Sequence, residues 1–509
     1  MNTVSYRESY GFYTGIYFKI DTEHKNSILG QRERKHNTPM GKYKELAKNT
    51  VIISVGTMLS KIVSFLMTRF YTGVLTPAEY GTSDLLNSTV SLLMPVISLG
   101  IADGVFRYLP EYPRSKKSVF SIGVYMVTAG TLLLAVFLPI LRLVDGFDGY
   151  LPLLVFITLA ACYHSVCEQY VRASGDTMLF AKQGLMNTML VVTLNIVLLK
   201  VFSLGVTGYM LAVGLSDCIC TAYLIIKKHL WGNLTVHPNK HMLKKMLRYS
   251  IPLIPTTVFW WITSVSDRYM IAAMLGSEAN GIYTVANKLP TMLTLLSGVL
   301  MQAWQYSAVS ESKSSLEEQA DFYSNVWIGL LSAMFFACSG MIAFAKVEVS
   351  ILAAPGYYEA WRCVPILCAA MLFCAFTSFM GSVYTVTQKS TLSLWTSLLG
   401  AVINVIMNAL LIPSKMGIYG AAFATWVSYF VVFLVRSVNA RKYIPFRLFG
   451  KVLFISTALL AVQILFMCFE WTGWIAVQAG VVVLMFLIGR KQIMEKINAF
   501  RRRAGGKKA

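Results

Sequence analysis

The chain has 509 residues, of which 56% are hydrophobic and only 14% charged, and its mean hydropathy is +0.59. A soluble chain of this length divides into several domains whose surfaces are about a quarter charged, and the charge here is too sparse to coat them. The net charge of +21 is spread over short connections and both ends, which excludes a nucleic-acid-binding face and points to membrane topology.

Residues 1–46 are polar and mixed, without the apolar stretch of a secretory signal, and read as a cytoplasmic tail. Tyr6, Tyr10, Phe12, Tyr13 and Tyr17 follow no period there, and Met40 is an alternative start because a membrane pattern begins at Lys42. Apolar blocks then run over 47–71, 83–106, 118–141, 150–171, 180–202, 205–226, 250–275, 281–305, 322–345, 362–386, 391–412, 417–436, 448–469 and 472–489. Blocks of roughly 20 to 25 residues suit helices crossing about 30 Å of hydrocarbon. The chain thus reads as an all-α membrane protein of about fourteen transmembrane helices.

Basic residues orient it. The tail (Arg32, Arg34, Lys35, Lys42, Lys44), Arg114, Lys116, Lys117, the stretch Lys227 to Arg248, Arg436, Arg441, Lys442, Arg447, Arg501 to Arg503, Lys507 and Lys508 all fall on one side. The other side receives Arg142, Lys200, Lys346, Arg362 and Lys415. Positive charge marks the cytoplasmic side, so both termini are expected in the cytoplasm of a bacterial inner-membrane protein.

The chain repeats with a period of about 200 residues. Arg69-Phe70-Tyr71, Leu75 and Glu79-Tyr80-Gly81 answer to Arg268-Tyr269-Met270, Leu275, Glu278 and Gly281. Asn195 with Gly205-Val206-Thr207-Gly208-Tyr209 answers to Asn408 with Gly417-Ile418-Tyr419-Gly420-Ala421. Two pseudo-symmetric six-helix lobes around a central cleft follow: 47–226, then a basic cytoplasmic linker over 227–249, then 250–437. Spans thirteen and fourteen occupy 438–489, and 490–509 is a basic cytoplasmic tail. Because each lobe has an even number of spans, the lobes are related by an axis along the membrane normal and can rock about the cleft.

Ionisable residues within spans mark function by default. Lys61 and Arg69 lie in span one, Asp84 at the outer end of span two, Asp267 and Arg268 in span seven, and Lys288 in span eight. Lys61, Arg69, Arg268 and Lys288 are the candidate cationic cleft, with Asp84 and Asp267 as supporting acids. Arg69 is also near enough to the boundary to snorkel, and Asp267 can neutralise Arg268 or Lys288. Cations facing a cleft attract an anion such as pyrophosphate, which Arg binds through paired hydrogen bonds. Trp260, Trp261, Trp304 and Tyr306 are candidates for stacking on sugars or for an interfacial belt. Glu168, Asp217 and His164 read as helix-packing or interface residues. No cofactor or metal is expected: there is no phosphate-binding glycine loop, and His237 and His241 flank Pro238 without an acid or thiol.

Ser266-Asp267-Arg268-Tyr269-Met270-Ile271 through Gly281-Ile282-Tyr283, and Leu411-Ile412-Pro413 through Gly417-Ile418-Tyr419-Gly420-Ala421-Ala422, resemble the Wzx-type polysaccharide-biosynthesis flippases, as do Glu79-Tyr80-Gly81, Leu99-Gly100-Ile101 and Arg107. That family belongs to the multidrug/oligosaccharidyl-lipid/polysaccharide exporter superfamily. The resemblance implies a two-lobed, MATE-like bundle that flips an undecaprenyl-pyrophosphate-linked oligosaccharide to the outer leaflet. It implies a cationic cavity onto which Lys61, Arg69, Arg268 and Lys288 map. A lipid-linked oligosaccharide and the bilayer are the expected partners, and polysaccharide polymerase or glycosyltransferases are candidate protein partners. Rival readings are a lipid II or spore-cortex precursor flippase, a drug or cation antiporter, and a membrane glycosyltransferase. The antiporter calls for acids in the cleft, and the enzyme for an acid pair in a large loop, where Glu317, Glu318 and Asp321 read as a solvated face.

Overall fold

The computed structural model describes residues 58–142, 147–311, 315–387 and 389–505; the expected tail, the Met40 question and the start of the first span lie outside the described residues. The described elements are helices: α1 (58–74), α2 (Pro77–Ile97), α3 (Ile101–Glu111), α4 (Lys116–Leu141), α5 (Leu151–Ala173), α6 (Thr177–Asn195) and α7 (Gly205–Lys228). A short α8 (Lys240–Ser250) precedes α9 (Ile254–Leu275), α10 (Ser277–Glu311), α11 (Leu316–Leu352), α12 (Val364–Val386), α13 (Ser390–Leu411), α14 (Ile418–Ala440), α15 (Gly450–Phe469) and α16 (Trp474–Gly505).

Among the described residues, ten helices are long and apolar enough to cross a membrane, or eleven if α2 and α3 count as one bent span. Fourteen crossings also require α9 and α10, which do not qualify by length and composition, and the first span, whose start lies outside the described residues. Leu132, Leu410 and Phe454 are 76%, 67% and 75% exposed on the outer surface, as lipid-facing side chains are.

The sequence pattern departs from the structure in two places. The single block read over 83–106 breaks at residues 98–100, where α2 and α3 bend by 52° and Leu99 and Gly100 take φ of 52° and 60°. Ser98-Leu99-Gly100 is apolar enough to hide the break. The stretch read as a basic loop contains α8, started by the Asn239 side chain, which accepts from the His241 and Met242 N–H groups. Its high charge masks the helical period.

Two hydrophobic cores result. One gathers residues from Leu85 to Met246, and the other centres on α10 to α12 and α14, around Trp327, Phe373, Phe376, Phe379 and Phe433. Tyr71, Leu75, Tyr80 and Leu199 of the first half pack into the core of the second. These four lie toward the end of the bundle that carries the α1–α2 turn, here called the first-loop end; the opposite end carries the linker.

The repeat is visible in the backbone. Gly205, the first residue of α7, and Gly417, just before α14, take φ of 53° and 50°, a region that favours glycine. At the first-loop end α2 and α10 cross backbone to backbone. A Cβ on Gly81 would stand 2.0 Å from the Ser277 carbonyl oxygen, and one on Gly281 would stand 1.9 Å from that of Pro77. The contact is reciprocal: each helix offers its glycine to the first turn of the other. Gly281→Ala is expected to destabilise the detergent-solubilised protein by about 1–3 kcal/mol. Gly329→Ala, where nothing lies within 4 Å, serves as the neutral control in the same thermal unfolding assay. Equal melting temperatures for the two variants would contradict the crossing.

Candidate functional site

Around the glycine crossing, polar side chains reach between the halves. Asp84 on α2 and Arg268 on α9 form an ion pair, with Arg268 Nη1 at 2.9 and 3.0 Å from the two carboxylate oxygens. Their side chains are 13% and 23% exposed. Asn280 donates to the Gly81 carbonyl at 3.0 Å, and the Tyr269 hydroxyl, also close to Thr89, donates to the Leu85 carbonyl at 3.1 Å. Trp261 Nε1 donates to the Ser88 carbonyl at 2.8 Å. Nearer the first-loop end, Tyr357 donates to the Leu75 carbonyl at 2.9 Å, and the Ala354 N–H donates to Thr72 Oγ1 at 3.1 Å.

The candidate residues separate into two sets. Asp84, Asp267 and Arg268 come together at this seam. Asp267 is buried and does not pair with Lys288; it accepts from the Tyr283 hydroxyl at 2.7 Å and from the Arg268 backbone N–H at 2.9 Å. Lys288 is half-buried on α10 and close enough to Tyr209 to interact electrostatically with its hydroxyl. Lys61 and Arg69 do not join the set. Both are exposed, and Arg69 donates across the seam to the Ala353 and Ser350 carbonyls. It therefore caps the C-terminal end of α11, where free carbonyls and the helix dipole favour a cation. Trp261 is spent on the seam, and the side chains of Trp260, Trp304 and Tyr306 lie outside those described.

A second polar constellation sits inside the first half. A recess of about 340 Å³ is lined by Ser60 and Ser64 of α1, His164 and Glu168 of α5, and Gln183 and Asn187 of α6. His164 Nδ1 lies 3.0 Å from Asp217 Oδ1, and its Nε2 lies 3.0 Å from Gln183 Oε1. Gln183 turns its amide nitrogen to Glu168 at 2.8 Å, and Asn187 donates to Asp217 at 2.9 Å. Gln183 is oriented so that both imidazole nitrogens face oxygen atoms. In sequence alone, His164, Glu168 and Asp217 look like helix-packing or interface groups. They are spread over α5 and α7, so only the fold shows that they share one chain of hydrogen bonds.

Arg436 corrects the charge tally. It was counted with the cytoplasmic loops, yet it is 7% exposed within α14. It donates to Thr396 Oγ1, Thr377 O, Ser393 O and Ser397 Oγ at 2.8 to 3.1 Å. The apolar block ends at this residue, so periodicity gives no sign that the helix continues. Outside the spans, Asp176 starts α6 and pairs with Lys228 at 2.7 Å. That hydrogen bond first, and the Leu179 N–H second, hold its carboxyl below the usual range.

The ion pair can be tested by a double-mutant cycle. Asp84→Ala or Arg268→Ala alone leaves one charge without its partner in a largely buried place, with an expected loss of up to about 3 kcal/mol. The double variant is expected to lose less than the sum of the singles in thermal unfolding. Strictly additive losses would show that the two side chains do not interact.

The family model described as polysaccharide biosynthesis protein matches residues 46–305. An uncharacterised membrane protein of Methanocaldococcus jannaschii is 22% identical over 412 residues, which cover 77% of this chain and 96% of the relative. Among solved structures, the lipid II flippase MurJ in an inward closed conformation is similar with a TM-score of 0.64 and 12% identity, covering 88% of this chain and 99% of that one. An inward-facing multidrug resistance MATE family transporter of the MOP superfamily has a TM-score of 0.60 and 14% identity, covering 78% of this chain and 98% of that one. At these identities the two structures speak for the fold, an all-helical MATE-like bundle. With the match running from the first span through α10 and across the seam, this chain belongs to the polysaccharide biosynthesis protein family of multi-pass membrane transporters.

Proposed function

We propose that the protein flips an undecaprenyl-pyrophosphate-linked oligosaccharide from the cytoplasmic to the outer leaflet by alternating access. In this reading the linker end and both termini face the cytoplasm, the first-loop end faces outward, and the lobes are the stretches 47–226 and 250–437. The observation that carries it is the Asp84–Arg268 pair, a cation of one half held across the seam by an acid of the other. Arg268 engages Asp84 through Nη1 alone, so the remaining donors of its guanidinium fork can take a phosphate oxygen. Lys288 adds a point charge nearby. An arriving pyrophosphate competes with Asp84 for Arg268, loosens the seam, and couples head-group binding to opening outward. Opening also frees Arg69 from the end of α11, adding a cation on the exit side. Lys61, exposed on α1, serves as an outlying attractor of the anion.

A second reading, a proton- or cation-coupled antiporter, draws on the acid-lined recess of His164, Glu168 and Asp217. Deleting the gene in its host and complementing with wild type, Arg268→Ala or Lys288→Ala at equal expression separates the two. Flipping predicts that surface polysaccharide disappears, that the lipid-linked oligosaccharide accumulates in the inner leaflet, and that wild type alone restores both. Unchanged polymer and lipid intermediates, with raised sensitivity to drugs or cations, would favour the antiporter.

A further inference from the structure

The helix inside the linker carries a surface that substrate transport does not use. One face of α8 is committed to the first half: Met242, Met246 and Ser250 are buried, with Met246 and Ser250 against Gly104 of α3. Lys245 is close to the Tyr112 hydroxyl and lies over the Tyr108 and Tyr112 rings. Two further rows run beside this face. Lys240, Lys244 and Arg248 recur every fourth residue and are all exposed. Leu243, Leu247 and Ile251 recur with the same spacing next to them, and Ile251 is 46% exposed. A four-residue step keeps each row on one side of a helix, so cations and apolar groups stand as parallel stripes about 12 Å long.

Both stripes, with Pro252, line one surface recess of about 510 Å³ that contains no acidic residue. Asp103 and Glu111 on α3 face Tyr249 and Lys245 of this helix, not its two stripes. The position of α8 identifies the environment. Only residues 251–253 separate it from α9, so the stripes lie where the bundle meets the membrane surface. The preceding stretch is tied to α4 by the Thr235 N–H to Ser121 and the Asn239 N–H to Ser118, each at 2.8 Å. It leaves Trp231, Leu234 and Val236 exposed at 55%, 45% and 79%. Exposed Trp and aliphatic side chains beside a cationic stripe suit an interface with lipid.

We propose that α8 binds an anionic phospholipid of the leaflet at the linker end, with its phosphate on Lys240, Lys244 and Arg248 and its acyl chains along Leu243, Leu247 and Ile251. The inference needs only the membrane placement of the bundle and is independent of what the protein transports. The full-length chain, reconstituted in an equimolar mixture of phosphatidylglycerol and phosphatidylcholine, is re-extracted, and its retained lipids are measured by native mass spectrometry. Wild type is expected to retain phosphatidylglycerol over phosphatidylcholine by on the order of tenfold or more. The triple variant Lys240→Gln, Lys244→Gln, Arg248→Gln is expected to bring that ratio close to one. Arg114→Gln, Lys116→Gln, Lys117→Gln removes the same charge from exposed positions at the same end and is expected to keep the preference. Leu243→Ser with Leu247→Ser, which leaves the cations in place, is expected to lower the amount of phosphatidylglycerol retained. An equal loss in both triple variants would mean diffuse surface charge and overturn the site. So would an unchanged ratio in the α8 triple, or unchanged retention in the leucine variant.

Discussion

Two packed halves inside a bilayer gain nothing from hiding apolar surface from one another, because lipid tails are as apolar as leucine. Their association rests on close backbone packing and on polar groups that have no water to turn to. The crossing of α2 and α10 at Gly81 and Gly281 supplies the first of these, and the surrounding hydrogen bonds and ion pair supply the second. The break between α9 and α10 and the capping of α11 by Arg69 lie at the same end of the bundle as these groups. A contact made of few, short polar links can separate as a unit, whereas a broad interlocked apolar interface deforms poorly.

The electrostatics of the seam follow from that constraint. Arg268 faces Asp84, and Asp267 accepts from its backbone N–H, so this arginine rests beside acids and is not a bare cation. Compensation lowers the cost of keeping charges inside the membrane, since an unpaired one is expensive there. It also sets the condition for a substrate, which must offer a better anion than Asp84. Arg436 shows the other way to keep a cation inside: four neutral acceptors and no acid, which fixes α14 to α12 and α13.

Much of this was legible in the residues. Apolar block lengths give the helical class, and Glu79-Tyr80-Gly81 set against Glu278 and Gly281 marks the pair of helices that cross. Asp84 and Arg268 stand out as charges inside apolar blocks, but they are 184 positions apart in the chain, and no periodicity says which acid an arginine takes. Arg69 matches Arg268 in the repeat yet does different work, because its side chain meets the carbonyl end of α11. The network of His164, Glu168 and Asp217 escapes for a related reason: Gln183 and Asn187, which link it, are unremarkable in sequence. The helix Lys240–Ser250 escapes because its charge hides two regular stripes.

In the proposed cycle the Asp84–Arg268 pair holds the first-loop end closed. Spin labels at Asp148 and Lys415, exposed in the connections of the two halves at that end, report their separation by pulsed dipolar spectroscopy in a cysteine-free background. One short distance distribution is expected for the otherwise wild-type protein, and a second, longer population when Arg268→Ala is added. The same short distribution in both would contradict that role of the pair and leave the seam to packing alone.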